Sequence, residues 1–161
     1  MGNDPGVDWY LAEYVTLANK GLRFPVTLYC HGFLLSGILI GGREYFEMAA
    51  KEVHGSFPDS ELKDVMSNWV SGWADMYPLP SQSHEKQALE DEQAPGSAQG
   101  DDDEPASTPG FLHLMHAQVF TPGQAPIPAT EDGMLWRGRL SSIDGFTWGL
   151  LAGATSSTVR P

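Results

Sequence analysis

Two glycine-punctuated, strand-like blocks stand more than ninety residues apart in this chain, with helix-like spacing before and after the first. The first block runs from Phe24 to Gly42. If His31-Gly32 forms a two-residue turn, Cys30 faces Phe33, Leu28 faces Leu35 and Val26 faces Gly37, and these six share one apolar side. Tyr29 with Leu34 and Thr27 with Ser36 make the more mixed other side. Histidine tolerates positive φ and glycine adopts it freely, so turn chemistry and apolar alternation agree on a β-hairpin in this register.

Ahead of it, Leu11, Tyr14, Val15 and Ala18 recur at helical spacing, predicting a helix from Trp9 to Lys20. Asp8 is its N-cap and Asn19-Lys20-Gly21 its stop. After the hairpin, Arg43 to Val53 has helical composition, with Tyr45, Phe46, Ala49 and Val53 on one side. His54 to Pro58 breaks it. A clearer helix is expected from Asp59 or Ser60 to Tyr77, where Leu62, Val65, Met66, Trp69, Val70, Trp73, Met76 and Tyr77 form one wide apolar stripe. The default reading makes that stripe core, and its aromatic richness keeps an oligomer contact in view.

The second block, Leu135 to Leu151, follows a strand expected at Phe111 to Phe120 and a proline-rich loop from Thr121 to Gly133. A turn at Asp144-Gly145 puts Ile143, Phe146, Trp148 and Leu150 on one side, but Trp136 and Leu140 then fall on the other. One extra residue at Ser141-Ser142 restores a common apolar face and turns Arg137 and Arg139 outward, so a second hairpin with a β-bulge there is expected. Five strands with a leading helix point to an α+β domain. Its sheet is expected to be small, antiparallel and strongly bent, or a partly closed five-stranded barrel, with one or two helices inserted after the first hairpin.

Charge changes this picture in one place. Residues 81–110 hold eight acids and one base, supplying −7 of the net −12, and contain no aromatic residue. Such a tract buries too little apolar surface to offset ordering entropy, and is read as a disordered acidic loop within a single domain spanning residues 1–161. The acidic balance argues against nucleic acid and anionic membrane as partners. The one cysteine, Cys30, has no internal disulfide partner. With no secretory leader and no apolar run of about 18 residues, a cytoplasmic, soluble protein is expected.

Candidate chemistry is sparse. His113 and His116 are three apart, a spacing that on a strand points them to opposite faces, and Cys30 lacks a CxxC partner; ordinary strand histidines outweigh a metal site. Gly41-Gly42-Arg43 lacks the phosphate-loop pattern, no G-x-S-x-G occurs, and Cys30 reads as a small buried hydrophobe. No catalytic residue, metal or cofactor is nominated. The candidate partner-binding residues are Arg137 and Arg139, weighed against an outer-face pair answering nearby acids, and Trp69 and Trp73, weighed against core.

The blocks Val26-Thr-Leu-Tyr, Leu35-Ser-Gly-Ile-Leu-Ile, Arg43-Glu-Tyr-Phe-Glu and Phe111-Leu-His-Leu carry a resemblance. So do Leu135-Trp-Arg-Gly-Arg-Leu and Ile143-Asp-Gly-Phe-Thr-Trp-Gly, with Ala18-Asn-Lys-Gly-Leu closing the first helix. Together they resemble the gas vesicle accessory protein U (GvpU-like) family. The resemblance implies a non-enzymatic cytoplasmic protein associated with gas vesicles, the hollow protein shells that provide buoyancy. Its partners would be the shell, other gas vesicle proteins or further copies of itself, and the family offers no catalytic residues to carry over. A folded module with exposed arginines and an acidic loop would self-associate through many weak contacts and bridge vesicles or regulate their assembly or clustering. A small-barrel binding module for RNA or another ligand, unrelated to gas vesicles, is the alternative; it requires a coherent basic, aromatic surface.

Overall fold

A computed structural model of the chain describes residues 6–57, 61–77 and 108–151. Its first helix, α1 (Trp9–Asn19), starts where Asp8 accepts hydrogen bonds from the N–H groups of Tyr10 at 2.9 Å and Leu11 at 3.4 Å. Those bonds satisfy two of the donors every helix start leaves open. Leu11, Ala12, Val15 and Ala18 are buried along one face.

Strands β1 (Phe24–Cys30) and β2 (Phe33–Ile40) pair in the expected register, Val26 with Gly37 through Cys30 with Phe33. His31 (φ 47°) and Gly32 (φ 96°) make the two-residue turn with positive φ at both positions. The hairpin is followed by α2 (Gly42–Ser56) and α3 (Glu61–Gly72), and α3 ends in a 3-10 turn over Trp73–Met76. The expected helix start at Asp59 or Ser60 lies outside the described residues, as does the acidic tract apart from residues 108–110.

Strand β3 occupies Phe111–Phe120 as expected, and β4 is Met134–Arg139. The last strand, β5, is Gly145–Trp148. All pairings are antiparallel, in the order β4-β3-β2-β1-β5.

That order corrects two expectations. Leu135 to Leu151 is not a hairpin, because β4 pairs with β3 while β5 pairs with β1, at the opposite edge. The expected barrel closure is absent because the two edge strands do not pair with each other, and the expected strong bending is absent too, the sheet being not strongly curled. In place of the expected bulge, Leu140–Ser142 form a 3-10 turn with Leu140 buried. Asp144 then starts the β5 pairing by donating its N–H to the Tyr29 carbonyl at 2.8 Å. Its carboxylate accepts the His31 N–H at 2.6 Å, tying β5 to the first hairpin's turn.

A bulge does occur, in β3. Ser36 faces Gln118 and Ile38 faces Met115, while across β3 Leu114 faces Trp136 and Ala117 faces Met134. The extra residue is His116, at φ 52°. Inserting one residue reverses side-chain parity, so Leu112 and Leu114 before it share a face with Ala117 and Val119 after it. A Cβ at Gly37 would sit 3.1 Å from both Ala117 Cα and the Met115 carbonyl oxygen, so a larger residue there would push β2 and the bulge apart by a few tenths of an ångström.

The two sheet faces differ. One packs on α1 and forms the main core: Leu11, Val15, Val26, Leu28, Leu35, Leu39, Leu112, Leu114 and Leu140, flanked by Trp136, Ile143 and Phe146. The other carries His113, over which Tyr45 and Phe46 of α2 and Tyr77 beyond α3 lay their rings. There too the buried Thr27 and Ser36 hydroxyls lie 3.1 Å apart. Thr27 donates to the Gly149 carbonyl at 2.9 Å and Ser36 accepts the Leu151 N–H at 2.8 Å, so each buried hydroxyl is satisfied.

Candidate functional site

Helix α3 contributes no buried residue, although its sequence reads as a core helix. Its attachment is to α2. Ser67 Oγ donates to the Ala50 carbonyl at 3.0 Å, and His54 lies 3.4 Å from the Asp64 carboxylate. Beyond the helix, Arg43 donates to the Tyr77 carbonyl at 3.1 Å and to Asp75 at 3.2 Å. These contacts fix which side of α3 meets α2.

The wide apolar stripe therefore splits. Met66, Val70 and Tyr77 turn partly inward, and Ala74 is buried. Leu62, Val65, Trp69, Trp73 and Met76 remain 62, 61, 61, 42 and 70% exposed, one ridge along the outer side. The cause is geometric: an apolar sector spanning eight positions is wider than one neighbouring helix can cover. Trp69 and Trp73 meet edge to face, with ring centroids 5.9 Å apart. The reading of this stripe as core is thus overturned for its two tryptophans.

Arg137 and Arg139 alternate on β4 and are both exposed, while Trp136 between alternate positions packs partly buried against the core. The outward turn of the arginines holds, produced by plain strand alternation rather than by a bulge. Arg137 is not a bare charge: its guanidinium carbon sits 3.5 Å from the centroid of the Phe111 ring. The tryptophans on α3 and the arginines on the edge strand are separate groups, with α2 touching both elements.

His113 and His116 are not brought together. His113 is buried, opposite Arg137 in register, and neither ring nitrogen has a hydrogen-bond partner. Burial first, and Arg137 second, push its pKa down to about 4, so it is neutral at neutral pH. His116 is the exposed bulge residue, its Nδ1 2.8 Å from the Asp132 carbonyl oxygen. Among the described residues, no group of three or more His, Cys, Asp or Glu is placed to hold a metal ion. Cys30 is buried, and desolvation, then the nearby Asp144 charge, raise its thiol pKa, the opposite of what a nucleophile needs.

An apolar cleft of about 400 Å³ lies at the hairpin tip, lined by Tyr29, Phe33, Leu34, Phe120, Pro122 and Leu151. It brings no pair of titratable side chains together. Among the described residues no helix is long and apolar enough to cross a membrane. What the arrangement offers is an exposed apolar ridge carrying two tryptophans, on a helix that packs against α2.

The exposure of the ridge is what sequence reasoning missed, together with the unpartnered burial of His113. The width of the α3 stripe was the available signal for the first. For the second it was the alternation of Leu112, His113 and Leu114, which sets the histidine on the face away from the main core.

No curated protein and no solved structure matches the chain. A family model described as gas vesicle protein GvpU-like matches residues 8–151, and the chain belongs to that family.

Proposed function

We propose that this chain is a non-enzymatic gas vesicle accessory protein, working in the cytoplasm by binding, and that the outer face of α3 is its contact surface. Through that face it associates with vesicles or with copies of itself and acts in vesicle assembly or clustering. Family membership supplies the gas vesicle setting. The observation that carries the rest is the ridge of Leu62, Val65, Trp69, Trp73 and Met76, large apolar side chains that the fold holds in solvent. Tryptophans in such positions are the residue type that dominates binding energy at protein interfaces. Arg137 and Arg139 add a cationic edge for an acidic partner, the chain's own residues 81–110 among them, within a single domain.

Cosedimentation with isolated gas vesicles tests this reading. Wild type is expected to pellet with vesicles, and a Trp69→Ala/Trp73→Ala variant of unchanged circular dichroism to lose most of that association. Equal pelleting of the two proteins would remove α3 from the function, and no pelleting of either would remove the vesicle.

A further inference from the structure

Strand β4 is an open edge of the sheet, and both arginines offer it their main chain as well as their charge. Leu140 donates its N–H to the Gly110 carbonyl at 3.1 Å, so its backbone is turned toward the β3 side. Arg139 before it is extended, and N–H and C=O groups alternate between the two sides of a strand. Gly138 therefore bonds toward β3 as Leu140 does, and the main-chain groups of Arg137 and Arg139 point away from the sheet. Because β4 ends the strand order, no further strand among the described residues takes those groups up.

The two side chains share one face, Arg137 opposite His113 and Arg139 opposite Phe111. Both are exposed, and among the described residues neither has a carboxylate at ion-pair distance. Stacking on Phe111 at 3.5 Å orients the Arg137 guanidinium, whose in-plane N–H groups suit a carboxylate. On the other face the Trp136 indole lies over Gly138, where a Cβ would run into the ring, so that side of the edge is flat and apolar.

We propose that β4 takes up an extended acidic segment of a partner protein as an added strand. Carboxylates at alternate positions would pair with Arg137 and Arg139, and an apolar residue between them would lie against Trp136. This deepens, and rests on, the reading of the two arginines as a cationic edge. Strand geometry matches the two patterns, since alternate side chains on either strand stand about 6.8 Å apart.

Charge decides among occupants. Charged side chains on an edge commonly keep edges apart, and here they repel a second β4, which would set arginine against arginine. Toward an acidic strand the same charges attract. The chain's own residues 81–110 supply acids at alternate positions, as in Glu90-Asp91-Glu92 and Asp101-Asp102-Asp103, but never with an apolar residue between. Nucleic acid, a long polyanion, is opposed by the net charge of −12.

The test uses the purified full-length protein without vesicles and a fluorescent, end-blocked peptide, Glu-Val-Glu-Val-Glu. Its anisotropy should saturate with a dissociation constant between about 10 μM and 1 mM. Arg137→Glu and Arg139→Glu, made separately and with unchanged circular dichroism, should each weaken binding at least tenfold. The reordered peptide Glu-Glu-Glu-Val-Val should bind at least fivefold more weakly.

Amide hydrogen exchange then reads the geometry. In the free protein the Arg137 and Arg139 amides should exchange fast and Gly138 slowly, and saturating peptide should slow the two arginines at least tenfold without changing Gly138. Absence of saturable binding, binding without that slowing, equal binding of both peptides, or tighter binding of a single-stranded oligonucleotide would each overturn the assignment. Arginine amides already protected in the full-length protein, and freed by deletion of residues 81–110, would overturn it too, because the chain's own tract would then be the occupant. The Trp69→Ala/Trp73→Ala variant should bind the peptide as wild type does, so a failure of the α3 contact with vesicles and a failure of the β4 edge are read separately.

Discussion

His113 supports the helical pair that presents α3, and its protonation should undo that support. The ring is 1% exposed, with centroids of Tyr45, Tyr77 and Phe46 at 4.7, 5.8 and 6.0 Å, and no hydrogen-bond partner at either nitrogen. Its folded pKa of about 4 lies below the ordinary value of 6.5. Between those values the unfolded chain binds more protons than the folded one, so stability is present above pH 6.5 and is lost as pH falls toward 4. A gap of about 2.5 units corresponds to roughly 3 kcal/mol in full, of which about 2 kcal/mol is gone by pH 5.

His113→Phe keeps an aromatic ring in the box and removes the titration. It also removes two unpaired buried nitrogens, worth about 1–3 kcal/mol, so the variant should be more stable at pH 7.5. Urea unfolding of both proteins at pH 7.5, 6.5, 5.5 and 5.0 checks the reasoning, because the difference between them cancels the carboxylates they share. The gap should widen by roughly 2 kcal/mol from pH 7.5 to 5. Parallel curves across that range would refute the assignment of a depressed histidine beneath α2.

Three further outcomes are expected. Trp69→Ala, at a largely exposed position, should cost no more than about 1 kcal/mol of urea stability, and Trp73→Ala, more than half covered and edge to face with Trp69, roughly 1–2 kcal/mol, whereas a core tryptophan would cost about 3–5 kcal/mol. Leu28→Ala, fully buried between sheet and α1, should cost about 2–5 kcal/mol in the same assay, and Asp8→Ala about 1 kcal/mol through loss of the helix cap. If acidic residues 81–110 pair with Arg137 and Arg139, light scattering by protein–vesicle mixtures should fall with added salt and with deletion of that tract; insensitivity to both would count against charge pairing.

Local chemistry made parts of the fold legible. At His31-Gly32 the turn type, loop length and alternation all agree, and the observed register follows. Asp8 and the bounds of β3 were equally readable, since caps and strand limits are written in adjacent residues. The β4–β5 segment was not. Its pattern says which residues share a face, and Trp136, Leu140, Ile143 and Phe146 do pack together, but it does not say which strands lie alongside. The two strands took partners at opposite sheet edges, and a 3-10 turn at Leu140–Ser142 did the work expected of a bulge. The bulge that exists, at His116, was hidden because the strands it reconciles, β2 and β4, are distant from it in sequence.

The candidate site failed to show itself for a related reason. An apolar stripe records that a helix face avoids water; it does not record whether the same chain or another molecule supplies the cover. In α1 the stripe is matched by the sheet. In α3 it exceeds what α2 can cover, and the excess is the ridge of Leu62, Val65, Trp69, Trp73 and Met76. α2 fixes the two ends of this segment by polar contacts, Asp64 against His54 and Asp75 against Arg43, and the ridge is the side those pairs leave outward. Covered and exposed positions interleave at the same 3.6-residue spacing, and the polar partners on α2, not the periodicity, decide which set each residue joins.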